Sequence, residues 1–129
     1  MEVEDIFVNT FVVREKRSRY AQLLSKPKTR AKILDRLNHA FDYDRRLAFN
    51  MPNQSDIESH LRSKGAPTVC HVIADAHALD GKEVSLQDAV RELWGHGFGY
   101  ILVCLPDRLA FYQPEAPSEP VVLEKKRNG

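Results

Sequence analysis

Apolar residues recur at helical spacing through the first 24 positions, at Val3, Ile6, Phe7, Phe11, Val13, Tyr20 and Leu24. Neither Gly nor Pro interrupts them, so the pattern predicts one long helix over 2–24. Arg17 breaks the apolar line between Val13 and Tyr20. Ser25-Lys26-Pro27 then stops and restarts the chain, since serine can cap a helix and proline is tolerated in a first turn. A second helix is predicted over 27–41, with Ile33, Leu34, Leu37, Ala40 and Phe41 on one face. So short a connection implies an antiparallel helical hairpin.

Beyond residue 44 the period changes. Leu47, Phe49 and Met51 alternate with polar or small neighbours, as a half-buried strand requires, and Pro52 ends the run. Ser55-Asp56-Ile57-Glu58 has the form of a capping box, opening a short helix that Gly65 and Pro67 close. Residues 68–74 are a β-branched apolar run, read as a buried strand, followed by a ten-residue loop with an Asp80-Gly81 turn. Ser85 caps a further helix whose Leu86, Ala89, Val90, Leu93 and Trp94 are expected to face the core, with Gly95 and Gly97 ending it. Residues 98–105 form the most strand-like stretch. Pro106-Asp107 makes a turn into a hairpin partner, Leu109–Gln113, and Val121-Val122-Leu123 is expected at a sheet edge.

The resulting order is a helical hairpin followed by β-α-β-α-β-β. It predicts an α/β fold in which helices flank a mixed sheet of four to five strands, with right-handed parallel crossovers and an antiparallel hairpin at one edge. A chain of 129 residues is read as one domain over 1–124: a basic hairpin (1–44), an α/β part (45–124), and a disordered tail (125–129).

Charge sharpens this division. Residues 1–46 carry eleven Lys/Arg against seven Asp/Glu, a net +4, whereas residues 47–124 carry five against eleven, a net −6. Nine of the bases crowd into residues 14–36. The N-terminus is acidic where a secretory leader is basic, and no apolar run approaches the ~18 residues of a membrane span. A cytoplasmic protein with no membrane contact is expected. Cys70 and Cys104 each fall inside a predicted strand, which reads as two buried, reduced core thiols.

Two places can carry chemistry. The loop after the second strand holds Asp75, His77 and Asp80, whose carboxylate and imidazole groups suit a divalent ion or an acid/base pair with Asp75 orienting His77. Their spacing matches no established ligand signature, and all three residue types are common in solvated turns, so no metal or cofactor is expected. His71, mid-strand among β-branched residues, reads as a hydrogen-bonded core histidine. Gly95-His96-Gly97 follows a helix where a phosphate loop precedes one, which makes it a helix stop. No nucleophile stands out, because Ser55 and Ser85 are accounted for as caps and no Gly-x-Ser-x-Gly elbow occurs.

The second place is the hairpin. Lys28, Lys32 and Arg36 recur every four residues along one ridge, and Arg14 and Arg17 crowd the first helix. A basic ridge is the electrostatic footprint of phosphate-backbone binding. The same charges can instead hold the acidic half of the molecule, or simply be solvated. The leading expectation is therefore a small non-catalytic binding or regulatory module for a protein or polyanionic partner. A small enzyme or metal-binding protein using the Asp75/His77/Asp80 loop is the first alternative. A homodimer, or other self-associating interaction protein, is the second.

Overall fold

The computed structural model describes residues 2–51, 56–115 and 118–126. The helix expected over 2–24 is two helices, α1 (Val3–Phe11) and α2 (Arg17–Leu24), separated by an extended step and a 3-10 turn at Arg14–Lys16. The break is tertiary in origin. Val12 and Tyr43 form an isolated antiparallel bridge, Val13 N–H donates to Asp42 O (2.9 Å), and Asp44 N–H donates to Phe11 O (2.8 Å). Arg17, the residue that interrupts the apolar line, turns its Nε onto Val12 O at 2.8 Å and so satisfies a carbonyl that the helix abandons. Helix α3 (Pro27–Asp35) packs antiparallel on α2 as the predicted hairpin and runs on into a 3-10 turn at Arg36–Asn38. Ser25 does not cap it: its hydroxyl donates back to Gln22 O, and Lys26 occupies the cap position.

The remaining elements are β1 (Ala48–Asn50), α4 (Ile57–Ser63), β2 (Val69–Ala74), β3 (Glu83–Ser85), α5 (Leu86–Leu93), β4 (Tyr100–Leu105), β5 (Leu109–Gln113) and β6 (Val121–Glu124). Asp56 caps α4 by accepting from Ser59 N–H, while Ser55 lies outside the described residues. Ser85 caps α5 as expected, accepting from Asp88 N–H at 3.0 Å. Trp94 does not join the core. It is the first residue past α5, with an extended ψ of 123°, and this backbone turn swings its ring off the helix's buried stripe to 76% exposure. Phe49, on the three-residue β1, is likewise exposed. In the tail, Lys125 N–H donates to Arg108 O at 2.8 Å, and residues 127–129 lie outside the described residues.

The sheet has six strands in the order β1-β6-β5-β4-β2-β3, and every pair is antiparallel. This corrects the expectation of four to five strands with parallel crossovers. The added strand explains the change of direction. Residues 83–85 fold back on β2 as β3, so the connection from β2 to β4 is strand-helix rather than helix alone. One additional reversal makes β4 run against β2. The β1-α4-β2 connection does join two strands of the same direction, but β6, β5 and β4 lie between them. Strand β6 is not at an edge either. It sits between β5 and β1, with Val122 and Leu123 buried.

Side chains alternate into two cores, as the strand period requires. Ile73, Ile101, Val103, Ala110, Tyr112 and Leu123 face the α1–α3 layer, where they meet Phe7, Phe11, Ile33 and Leu37. Val72, Leu102, Phe111, Val122 and both cysteines face Leu61 of α4 and Leu86, Ala89 and Leu93 of α5. The architecture is a three-layer sandwich.

One glycine couples the first two layers. A Cβ on Gly99 would lie 2.5 Å from Leu37 O and 2.6 Å from Leu37 Cβ, so the start of β4 and the end of the α3 segment can meet only without a side chain there. Gly99 N–H donates to Asn38 Oδ1 (2.6 Å), and Asn38 Nδ2 donates to Asp75 Oδ2 (2.7 Å), which staples the same junction. Gly99→Ala is expected to cost roughly 1–3 kcal/mol by overpacking. Thermal melting should register this as a fall of several degrees, and an unchanged melting temperature would mean the junction is looser than described.

Candidate functional site

The loop after β2 is built from a turn at Asp75-Ala76, where Ala76 takes a left-handed φ of 53°, and a second turn at Gly81 (φ 79°). Each of the three predicted site residues has a separate structural partner. Asp75 accepts from Asn38, as above. Asp80 accepts from Ala74 N–H (3.0 Å) and from the Nε and a terminal nitrogen of Arg30 (2.7 and 2.9 Å). His77 Nδ1 accepts from Leu79 N–H at 3.0 Å.

This last bond has a chemical consequence. A ring nitrogen that accepts a hydrogen bond carries no proton, so neutral His77 keeps its proton on Nε2 and has no lone pair left there for a metal. Burial and the neighbouring His96 both hold His77 below its ordinary pKa. His96 stands edge-on to His77 with ring centroids 4.9 Å apart, and its own Nε2 lies 2.7 Å from Asp75 O. No hydrogen bond joins His77 to Asp75, and among the described residues no group of three His, Cys, Asp or Glu side chains could hold a metal ion. Zinc or manganese titration of the protein should therefore show no saturable site tighter than ~10 μM. A stoichiometric site that disappears in His77→Ala would reverse this assignment.

Arg30 is the centre of a larger construction that no local spacing announces. Its guanidinium has five N–H groups and all five are used. Two go to Glu4 (2.7 Å each), two to Asp80, and one to Leu24 O (3.1 Å). Glu4 Oε2 also lies 2.7 Å from His71 Nε2, and His71 Nδ1 lies 2.6 Å from Glu83 Oε1. Five ionisable groups from α1, α3, β2, the loop and β3 thus form one chain, and three of them, Glu4, Arg30 and His71, line a cleft of about 470 Å³. Burial opposes the charge on Glu4, but the hydrogen bonds from Arg30 and His71 outweigh it and hold the carboxyl at about 2. Burial likewise opposes charge on His71, yet its two glutamate partners raise its pKa. His71 is thus hydrogen-bonded, as its sequence setting implies, but to carboxylates from other elements.

The basic hairpin divides into two groups. Arg36 is turned inward: its Nε and a terminal nitrogen bind Asp42 at 2.7 and 3.0 Å, and Lys16 (2.8 Å) and the Tyr20 hydroxyl bind the same carboxylate. Burial would raise the pKa of Asp42, but these donors hold it well below the carboxylate range. Lys28 and Lys32 are exposed and make no ion pair among the described residues. Arg14 and Arg17 line a surface hollow of about 320 Å³ together with Arg46, which is 88% exposed, and with Asp44 and Glu15. Arg46 was not among the predicted site residues. It lies 32 positions from Arg14 and joins it only because the Val12–Tyr43 bridge brings the two segments side by side.

Most of the hairpin's ion pairs are internal to residues 1–46. Among the described residues, Arg30–Asp80 is the one Lys/Arg pair that ties this block to the acidic half. The fold thus defines a three-layer α/β protein with exposed bases on its N-terminal layer, and no described helix is long and apolar enough to cross a membrane. No protein-family model, curated protein or solved structure matches the chain.

Proposed function

We propose that the protein is a non-catalytic binding module whose N-terminal layer docks a polyanionic partner. The observation that carries this reading is the hollow between Arg14, Arg17 and Arg46. Three arginines from two chain segments line it beside two carboxylates, and Lys28 and Lys32 on the same layer make no ion pair among the described residues. Arginine forks suit phosphate and sulfate groups because they donate in pairs. Arg17 already spends its Nε on Val12 O, which orients its terminal nitrogens, and Arg46 can exchange its contact with Asp44 for a bound anion. The Asp75/His77/Asp80 loop supports the enzymatic alternative poorly, since each of its side chains is occupied by a structural contact.

Binding of fluorescent RNA or heparin at low salt tests this proposal. Affinity should fall with added salt, with a logarithmic slope of roughly 0.7–0.9 per phosphate contact. The variant Arg14→Glu/Lys28→Glu/Lys32→Glu should lose binding and keep its melting temperature, because none of these side chains is committed inside the fold. Arg36→Glu should instead melt early, because it strands Asp42. Failure of both polyanions to bind the native protein in low salt would end the proposal.

A further inference from the structure

The two cysteines lie on neighbouring strands, and the hydrogen-bond phase of the sheet determines how they face each other. The β2–β4 register runs from Ala74 opposite Tyr100 to His71 opposite Val103, and its next step sets Cys70 opposite Cys104. Opposed residues in an antiparallel pair alternate between those that exchange backbone hydrogen bonds and those that do not. Asp75 N–H donates to Gly99 O in this register (3.0 Å), so the odd-numbered positions of β2 bond towards β4. On the other side of β2, Leu86 N–H donates to Thr68 O (2.7 Å) and Val72 N–H to Lys82 O (2.9 Å), so the even-numbered positions bond towards β3. Continued one residue past its last pair, His71–Val103, the register gives Cys70 and Cys104 the facing of a non-hydrogen-bonded pair.

Such pairs have Cα atoms about 4.5 Å apart and the closest side-chain approach in a sheet. That separation falls inside the ~4.4–6.8 Å window of a disulfide. Both side chains enter the core beneath α4 and α5, and both are free thiols.

We propose that Cys70 and Cys104 are a two-electron modification site, a dithiol that a small-molecule disulfide oxidises to a cross-strand bridge. One cysteine, as thiolate, attacks the small disulfide, forms a mixed disulfide and expels one small thiolate. The second cysteine then attacks the protein sulfur of that mixed disulfide and expels the other. The two thiol protons pass to the departing thiolates, so the protein loses two hydrogens and the small disulfide becomes two thiols. Burial pushes both thiols up to about 12, which makes the first step slow in the closed sheet. Access comes from the strand ends. Cys70 is the second residue of β2, beside exposed Val69, and Cys104 is next to last in β4, where the ladder to β5 is irregular. Both are buried, but both lie at the same end of the sheet, one residue from the strand terminus.

The test is equilibration of the native protein in oxidised and reduced glutathione, followed by alkylation and intact-mass measurement. The expected product is a monomer lighter by two hydrogens with no alkylated cysteine, and Cys70→Ala and Cys104→Ala should each stop at a single glutathione adduct or free thiol. The folded register should favour the bridge, so it should form at a glutathione disulfide level at least about tenfold lower in native protein than in concentrated urea. Rapid alkylation of both native thiols, glutathione adducts without a bridge, or a bridge that forms only in urea would each overturn the proposal.

Discussion

Replacing Arg30 with methionine should lower the unfolding free energy by roughly 3–5 kcal/mol, the cost of breaking a buried ion pair by removing one partner. Three observations set the size of this effect. The side chains of Arg30, Glu4 and Asp80 are all less than one-fifth exposed, so solvent screening is limited. Every guanidinium N–H has a partner, so truncation removes the donor to the Leu24 carbonyl and leaves Glu4 with His71 alone and Asp80 with the Ala74 N–H alone. The contact also joins α1, α3 and the loop after β2, so its loss uncouples the helical layer from the sheet. Arg30→Lys should recover little, because an ammonium has three donors and cannot fork onto two carboxylates at once. In urea, with a slope of ~1–3 kcal/mol per molar for a chain of this size, the midpoint should fall by more than 1 M. A loss of under about 1 kcal/mol in Arg30→Met would show that the network is solvated and weak.

The same network should make stability fall on both sides of a plateau between about pH 5 and 6.5. Glu4 has a folded-state pKa of about 2 against an ordinary 4.5. A depressed carboxylate contributes stability that is complete above 4.5 and lost as pH drops towards 2, here about 3 kcal/mol. Asp42, held down by Arg36, Lys16 and Tyr20 despite its burial, adds to the same acid limb. His71 has the opposite sign. Its pKa is raised above 6.5, so its contribution is complete below 6.5 and is lost as pH rises through the folded value. The groups facing it are Glu4 from α1 and Glu83 from β3, with Arg30 and Asp80 behind Glu4. Melting temperature measured from pH 3 to 9 should show both limbs. Glu4→Gln should shrink the acid limb to the part carried by Asp42, and His71→Gln should flatten the alkaline one. An alkaline limb that survives unchanged in His71→Gln would assign it to another group.

Much of the fold is legible without coordinates because its causes are local. The Ser85 cap, the Pro106-Asp107 hairpin, the β-branched run at 69–74 and the apolar stripe of α3 each depend on residues within one or two turns of one another. The charge segregation, the burial of both cysteines and the hydrogen-bonded character of His71 are legible for the same reason. The helix break at Val12 is not, since it depends on Tyr43 and Asp42, some 30 positions away. Neither is the exposure of Trp94, which lies on the apolar stripe by count and leaves it through a single backbone dihedral.

The sequence by itself determined the helical hairpin, most of the strands, and which residues are apolar enough to be buried. The tertiary structure decided strand direction, strand neighbours and side-chain partners. Three residues, Glu83–Ser85, reverse the chain once more than their pattern reveals, and that reversal turns an expected parallel crossover into an antiparallel sheet. Arg30 was one base among nine until the fold set Glu4 and Asp80 around it, from 26 and 50 positions away. Arg36 left the basic ridge for Asp42, and Arg46 joined Arg14 and Arg17. Hydrophobic period and capping chemistry act over a few residues and are written in their order. Ion pairs, register and cross-strand facing act through space, and only the closed sheet brings their members together.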